Sequence, residues 1–161
     1  MEDCPAIAEV NVRAWQQAYA HILPAEVLAA RTVAPTEAFW RRKLEEGVPP
    51  VLVARDPEVV GFVAFGSSRD PDAAPSCGEI WAIYVAPARW GKGVGRPLCL
   101  AALVELRTRG CNRVTLWVLA ENHRALRFYR SLGFEVELDS EREVDVNGAP
   151  IREVRCSLPL A

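Results

Sequence analysis

The sequence predicts an α/β domain in which helices come first and an antiparallel hairpin comes last. Three observations predict this class. Apolar residues recur at helical spacing before Gly47, apolar segments of strand length follow from Val51, and Asn147-Gly148 is a strong signal for a two-residue hairpin turn. Because 50% of the 161 residues are hydrophobic, the chain can bury a substantial core. No repeat or linker interrupts it, so we expect residues 1–161 to form a single domain.

Three helices are predicted before the first strand. Apolar residues at helical spacing predict the first helix from Pro5 to Ala20. Pro24 suits the first turn of a second helix that reaches Arg31, and Thr36 is predicted to cap the N-terminus of a third. Gly47–Pro50 then ends the helical region.

Three strands are predicted next. The segments Val51–Arg55 and Val59–Gly66 are separated by the turn-like Asp56-Pro57. A loop follows, rich in Ser, Pro and Asp. Glu79–Ala86 is then mostly apolar, which is typical of a central strand buried on both faces.

The second half of the chain alternates helices and strands. A helix with apolar residues on one face is predicted after the glycines near Gly95, and it ends near Gly110. The segment Arg113–Leu119 alternates as a strand does, and Asn122 is predicted to cap the next helix, which ends at Gly133. Two strands, Glu135–Val146 and Ala149–Leu158, form the closing hairpin, which could also mediate a homodimer.

Composition excludes several classes of function. A formal net charge of −2 argues against a nucleic-acid-binding protein. Five cysteines without CxxC spacing and two distant histidines predict neither a disulfide framework nor a metal site. No apolar run reaches the roughly 20 residues that span a bilayer, and MEDCPAIAEV carries acidic residues where a secretory signal carries basic ones. We therefore expect a cytoplasmic protein that binds no membrane.

The stretch RWGKGVG, from Arg89 to Gly95, connects a predicted strand to a predicted helix. Glycine weakens an element interior by about 0.5–1 kcal/mol relative to alanine, so three glycines here need a reason. A helix N-terminus offers unpaired N–H groups and partial positive charge, and glycine lets an anion approach the backbone closely. Arg89, Lys92 and Arg96 add positive charge. The stretch therefore fits either a phosphate site or a tight structural turn, and it matches neither the P-loop nor the dinucleotide-binding pattern.

A second motif distinguishes these alternatives. NHRALRFYRSLGF places Asn122, Ala125, Tyr129 and Gly133 at fixed spacing on one helix. Together with IYVAPARWGKGVG, it resembles the GNAT (GCN5-related) N-acetyltransferase superfamily, whose pattern is Gln/Arg-x-x-Gly-x-Gly/Ala opening a helix, followed by NxxAxxxYxxxGF. The resemblance covers roughly Val51 to the C-terminus. It implies a mixed, mostly antiparallel sheet flanked by helices, with splayed parallel strands at an acyl-CoA cleft.

The resemblance implies that acetyl-CoA is the co-substrate. In that family the loop amides hold the pyrophosphate and the preceding strand pairs with the pantetheine. These roles fall on the following residues here: Ile83, Tyr84, Val85, Arg89, Trp90, Gly91, Lys92, Gly93, Val94, Gly95 and Arg96. On the second motif, Asn122, Ala125 and Tyr129 are implied as cofactor contacts, and Arg130 is a candidate for the 3′-phosphate. Trp90 departs from the pattern, because Gln or Arg is usual there.

Two residues are candidates for the chemistry of amine acetylation. The resemblance implies Tyr129 as the acid that protonates the leaving thiolate, whereas a tyrosine packed in the core is the alternative. Glu79 is our candidate for the base, directly or through a water, and a solvated carboxylate at a strand end is its alternative. A ping-pong route through Cys99 would need a base beside the thiol, and no histidine is evident there.

The acceptor is a small-molecule or peptide amine that the sequence does not identify. Trp15, Tyr19 and His21 meet at a predicted corner between helices, where we expect Trp15 in the core and leave the other two open. The function predicted is N-acetyl transfer by direct attack in a ternary complex. A non-catalytic acyl-CoA sensor or assembly module is the alternative. The family usually begins with a short strand, so that strand is either absent or lies upstream.

Overall fold

The computed structural model describes residues 2–160. Its helices and strands occur in the order α1 (Cys4–Tyr19), α2 (Ala25–Ala30), α3 (Val33–Glu45), β1 (Val51–Arg55), β2 (Val59–Ser67), β3 (Cys77–Val85), α4 (Gly95–Thr108), β4 (Arg113–Leu119), α5 (His123–Ser131), β5 (Glu135–Val136), β6 (Arg142–Val146) and β7 (Ala149–Pro159). A short 3₁₀ helix, Pro87–Arg89, lies between β3 and α4. Within the described residues, α1 is the first element of the chain.

The strands form one mixed sheet of seven strands in the order β1-β2-β3-β4-β7-β5, with β6 also paired to β7. Strands β3 and β4 are parallel to each other, and every other pair is antiparallel. The predicted α/β class with a mostly antiparallel mixed sheet is therefore confirmed.

Helices cover both faces of the sheet. Side chains of β2 alternate between the two layers, as a strand requires. Val63 and Phe65 pack in the cluster that contains residues of α4 and α5, whereas Phe62 and Ala64 pack with α1 and α3. Among the helices of residues 2–160, none has the length and apolar character that crossing a membrane demands.

The third helix begins earlier than predicted. It starts at Val33, and the Thr36 hydroxyl donates to the Thr32 carbonyl at 2.8 Å instead of capping the helix. Pro35 is accommodated because the first turn of a helix needs no N–H donor there. The prediction that Thr36 is the N-cap is therefore wrong.

The predicted strand Glu135–Val146 is interrupted. Residues 137–141 leave the ladder between β5 and β6, and Asp139 has a φ of 55°. The Glu137 carboxylate accepts hydrogen bonds from Arg155 and Arg113 across the strands. The hairpin turn itself is confirmed, since Asn147 and Gly148 have φ values of 52° and 85°.

Candidate active site

The sheet is split between its two parallel strands. Only the pairs Cys77–Arg113, Gly78–Val114 and Glu79–Thr115 join β3 to β4 in the described residues. On the other side of β3, the pairing with β2 shifts register so that Trp81 is an extra residue between Ile80 and Ala82. Such a bulge bends its strand and increases the local twist. Beyond Glu79 the two parallel strands therefore diverge.

A cavity of about 470 Å³ lies where the strands have separated. Its walls come from α1, β3, the glycine stretch, β4 and α5. The lining residues are Ala14, Ala18, Tyr19, Ile80, Trp81, Ala82, Ile83, Tyr84, Val85, Arg89, Trp90, Gly91, Gly93, Val94, Gly95, Arg96, Trp117, Val118, Asn122, Arg124, Ala125, Phe128, Tyr129 and Ser131. We call this cavity the cleft. Its size lies within the range that small-molecule sites occupy.

The glycine stretch forms one end of the cleft. Gly91 and Gly93 have φ values of 72° and 82°, a conformation that favours glycine. Helix α4 begins at Gly95, and no described side chain caps its N-terminus. Its first N–H groups therefore remain available to a ligand. A Cβ atom added at either Gly91 or Gly93 would meet nothing within 4 Å in residues 2–160, so the space beside them is open.

The charged residues of this stretch differ in their placement. Arg89 lines the cleft and is paired with Asp56, with Nη1 2.8 Å from Oδ2. Arg96 also lines the cleft and donates to the Ser131 carbonyl at 3.3 Å. Lys92 is exposed, and so is Arg130 on α5, and neither belongs to the cleft wall.

Helix α5 and its N-cap bring three of the predicted residues, Asn122, Ala125 and Tyr129, to the cleft. The Oδ1 atom of Asn122 accepts a hydrogen bond from the Ala125 N–H at 3.1 Å, which confirms the predicted cap. Tyr129 is buried and lines the cleft. Desolvation by burial raises the pKa of Tyr129 well above its usual value. The hydroxyl therefore keeps its proton and is available as a donor.

Glu79 is buried in an ion pair, which neither alternative from the sequence anticipated. The residue is 1% exposed. One of its oxygens, Oε2, accepts from the Arg69 backbone N–H at 2.8 Å, and Arg69 Nε lies 3.2 Å from both oxygens. Arg69 Nη2 also donates to Oε1. The alternative of a solvated carboxylate is therefore wrong.

A second cavity, of about 210 Å³, adjoins the cleft, and we call it the side cavity. Tyr19, Ile80, Trp81, Tyr84 and Trp117 line both cavities, whereas Glu79 lines only the side cavity. Trp15 packs in a buried cluster with Leu23 and Val27, as expected, and it also lines the side cavity. His21 is exposed and lines neither cavity.

Cys99 is fully buried on α4 and is not among the residues that line the cleft. Desolvation by burial raises the pKa of its thiol to about 12. The reactive thiolate is therefore scarce at neutral pH. Residues 2–160 contain no group of three or more His, Cys, Asp or Glu side chains placed to hold a metal ion.

The sequence model of the Acetyltransferase (GNAT) family matches residues 11–134, which is most of the chain. The chain belongs to the GNAT acetyltransferase family.

Relatives of this GNAT protein carry acetyltransferase names. It is 29% identical over 161 residues to the uncharacterized N-acetyltransferase YuaI of Bacillus subtilis, a match covering 99% of this chain and 89% of YuaI. It is 47% identical over 110 residues to the mycothiol acetyltransferase of Thermobispora bispora, covering 62% of this chain. The match spans only 37% of that enzyme's length.

Solved structures share the GNAT fold. YncA from Salmonella typhimurium, determined with its cofactor acetyl-CoA, matches with a TM-score of 0.70 and 27% identity. The match covers 99% of this chain and 90% of YncA. The PaiA N-acetyltransferase of Thermoplasma acidophilum, determined with coenzyme A, has a TM-score of 0.72 at 19% identity.

Most residues that the GNAT motifs implied for cofactor binding lie in the cleft wall, and their roles stay predictions. The structure adds residues that the sequence did not single out for the cleft, among them Phe128 on α5 and Trp117 on β4. Arg124, which the sequence did not single out either, also lines the cleft. The sequence feature that could have predicted this placement is its position in the first helical turn, shortly after the cap residue Asn122.

Proposed function

We propose that this GNAT domain transfers the acetyl group of acetyl-CoA to a primary amine by direct attack in a ternary complex. One observation carries the proposal: β3 and β4 separate into a cleft that has an uncapped helix N-terminus at one end and Tyr129 in its wall. A non-catalytic acyl-CoA sensor needs the same cleft, but it needs neither Tyr129 nor a buried Glu79 beside it.

The residues of the cleft suit acetyl-CoA. The open backbone at Gly91 and Gly93 and the free amides of α4 suit the pyrophosphate, and Arg89 and Arg96 add positive charge at its edge. The edge of β3 from Ile83 to Val85, left without β4, suits the amides of the pantetheine. N–H groups on this edge would also stabilise the oxyanion that forms at the acetyl carbonyl.

The chemistry follows from these placements. The neutral amine attacks the carbonyl carbon, so that an N–C bond forms, and the C–S bond then breaks. Glu79 accepts the proton from the amine, directly or through a water. Arg69 already makes two donor contacts to each oxygen of Glu79, so the amine or the water takes the place of one of the 3.2 Å contacts from Arg69 Nε.

The leaving sulfur takes its proton from Tyr129. The raised pKa of this tyrosine keeps the hydroxyl protonated while the thiolate forms. A thiolate in the same apolar wall is desolvated as well, so its own affinity for a proton rises. The hydroxyl therefore serves first as a hydrogen-bond donor to the sulfur and then as its acid.

The first experiment is calorimetric titration of the full chain with acetyl-CoA and with desulfo-CoA, followed by thiol release against a panel of primary amines. We expect both CoA compounds to bind and thiol release to depend on an amine. Binding without release on a broad panel would favour the sensor. If neither compound binds, the proposal fails.

Variants then assign the roles. We expect Tyr129→Phe and Glu79→Gln each to lower kcat by about 100-fold, the usual contribution of a general acid or base, with acetyl-CoA binding retained. Arg127→Gln is the matched control, because Arg127 is exposed on the same helix as Tyr129 and lies outside the cleft wall. If kcat is unchanged in Tyr129→Phe, Tyr129 is not the acid, and if it is unchanged in Glu79→Gln, Glu79 is not the base.

A further inference from the structure

Two arginine–glutamate pairs line the side cavity, and each arginine also stacks on a tryptophan. Arg69, in the loop after β2, pairs with Glu79 of β3, and its guanidinium carbon lies 4.5 Å from the centre of the Trp81 ring. On the facing wall, Nη2 of Arg142 donates to Oε2 of Glu153 at 3.0 Å, and the Arg142 guanidinium carbon lies 3.5 Å from the Trp117 ring centre.

The two pairs are oriented in the same way. The arginine side chains are exposed, Arg69 by 56% and Arg142 by 45%, whereas the side chains of Glu79 and Glu153 are exposed by only 2% and 18%. The positive ends of both pairs therefore face the mouth of the cavity, and the negative ends face its interior. The four charges sum to zero, so the cavity is neutral overall but polarised.

Unused hydrogen-bonding groups remain both at the mouth and in the interior of the side cavity. Within residues 2–160, Nη1 of Arg69 and Nη1 of Arg142 have no acceptor among the side-chain hydrogen bonds, and Oε1 of Glu153 has no donor. The guanidinium group offers a fork of donors that matches a carboxylate, and the free carboxylate oxygen suits an ammonium group. The unused donors thus lie at the mouth and the unused acceptor lies inside.

The remaining wall is aromatic and aliphatic, and it includes the two tyrosines Tyr19 and Tyr84. Three tryptophans, Trp15, Trp81 and Trp117, face the same small space. Aromatic faces attract a cation and pack against planar or aliphatic groups. A volume of about 210 Å³ admits a compact molecule rather than an extended one.

We infer that the acceptor is a small amine that also carries a carboxylate, as a free α-amino acid does. Its amino end points inward to Glu79 and Glu153, and its carboxylate lies between Arg69 and Arg142 at the mouth. The inference rests on the proposed function, because it identifies the acceptor of that reaction. Five residues shared by the two cavities bring the amine beside the cleft where the acetyl group is carried.

The same arrangement disfavours polycationic acceptors. A polyamine would place additional positive charges beside two exposed guanidinium groups. Because like charges repel each other, its binding would be weakened. An amine without a carboxylate would fill the tryptophan-lined space but leave the arginine donors to water.

The test compares amino acids with their decarboxylated counterparts as acceptors in the thiol-release assay. The pairs are L-phenylalanine with 2-phenylethylamine and L-methionine with 3-(methylthio)propylamine, and spermidine represents the polyamines. We expect kcat/KM for at least one amino acid to exceed that of its decarboxylated counterpart by about tenfold or more. This factor corresponds to the contribution of one charge-assisted hydrogen bond.

Arg142→Gln tests the origin of this preference. We expect the variant to reduce the ratio of kcat/KM values about fivefold or more, mainly through the KM for the amino acid. Arg152→Gln is the matched control, because Arg152 is exposed on β7, pairs with Glu121 and Glu141, and lies outside the side cavity. We expect the ratio of kcat/KM values in this variant to stay within about twofold of that of the parent protein. Thermal unfolding of both variants checks that they are folded.

The outcomes separate this inference from the proposed function. If decarboxylated amines or spermidine release thiol as well as the amino acids do, the chain is an acetyltransferase and the inference is wrong. If the preference exists but survives in Arg142→Gln, the assignment of the carboxylate to the mouth is wrong. If no acceptor releases thiol, the proposed function fails and the inference fails with it.

Discussion

The guanidinium carbon of Arg124 lies 3.2 Å from the centre of the Trp90 ring, so the first turn of α5 contacts the loop that precedes α4. Nε1 of the same indole donates to the Val85 carbonyl at 2.7 Å, at the end of β3. Trp90 therefore connects three elements that line the cleft. At the position where the family usually has Gln or Arg, this chain has a tryptophan that fixes the loop against both walls.

Replacing Trp90 with Phe should weaken the binding of acetyl-CoA. The phenyl ring keeps a face for Arg124 but loses the donor to Val85, and a hydrogen bond of this kind contributes about 1 kcal/mol. We expect the KM for acetyl-CoA to rise about fivefold with kcat nearly unchanged, as measured by initial rates. Arg124→Gln, which removes only the stacking cation, is the companion variant. A lower KM in Trp90→Phe would mean that the indole competes with the cofactor for the Val85 carbonyl.

All three tyrosines should resist ionisation in the folded protein. Desolvation by burial raises the pKa values of Tyr19, Tyr84 and Tyr129 above the usual value for tyrosine. Since the folded-state pKa values exceed the unfolded value of about 10, the stability they contribute is complete below about pH 10 and is lost as the pH rises further.

Two measurements check this expectation. Tyrosinate absorbance should appear near pH 10 in urea but only at higher pH in the native protein, and the free energy of unfolding should fall as the pH rises above about 10. Tyrosines that titrate normally in the native state would contradict the burial described for them.

Arg69 and Glu79 should be energetically coupled. Arg69→Ala leaves a buried carboxylate without its partner, and we expect a loss of about 2 kcal/mol in the free energy of unfolding. Adding Glu79→Gln should recover part of this loss, giving a coupling energy of at least about 1 kcal/mol in urea unfolding. Arg13→Ala is the control, because Arg13 pairs with Glu9 on the exposed face of α1. Additive effects of the two changes would show that the pair does not act as a unit.

Cys99 should be dispensable for turnover. With the pKa of its thiol raised to about 12 by burial, the thiolate is too scarce at neutral pH to carry the acetyl group. We expect Cys99→Ala to retain kcat within about twofold, with some loss of stability because the site is in the core. Mass spectrometry of the native enzyme with acetyl-CoA alone should detect no acetylated cysteine. A stable acetyl-enzyme at Cys99 would instead indicate the ping-pong route.

Local sequence was enough to predict the features that depend on local backbone geometry. The cap at Asn122 and the hairpin turn at Asn147 each follow from a few neighbouring residues, and both are present. The pairing of Glu79 with Arg69 was not predictable in this way, because it depends on how the loop after β2 folds back over β3. The pair formed by Arg142 and Glu153 depends likewise on the register of β6 against β7, which the interruption at residues 137–141 sets.

The short ladder between β3 and β4 also bears on how the chain folds. Strands β1–β3 come from residues 51–85 and β4–β7 from residues 113–159, so each side of the sheet is a continuous part of the chain. Contacts between residues close in sequence form sooner than distant ones, and β1, β2 and β3 are neighbours both in sequence and in space. We therefore expect the two sides to organise separately and then to join through Gly78 and Glu79. The cleft would be completed in that last step.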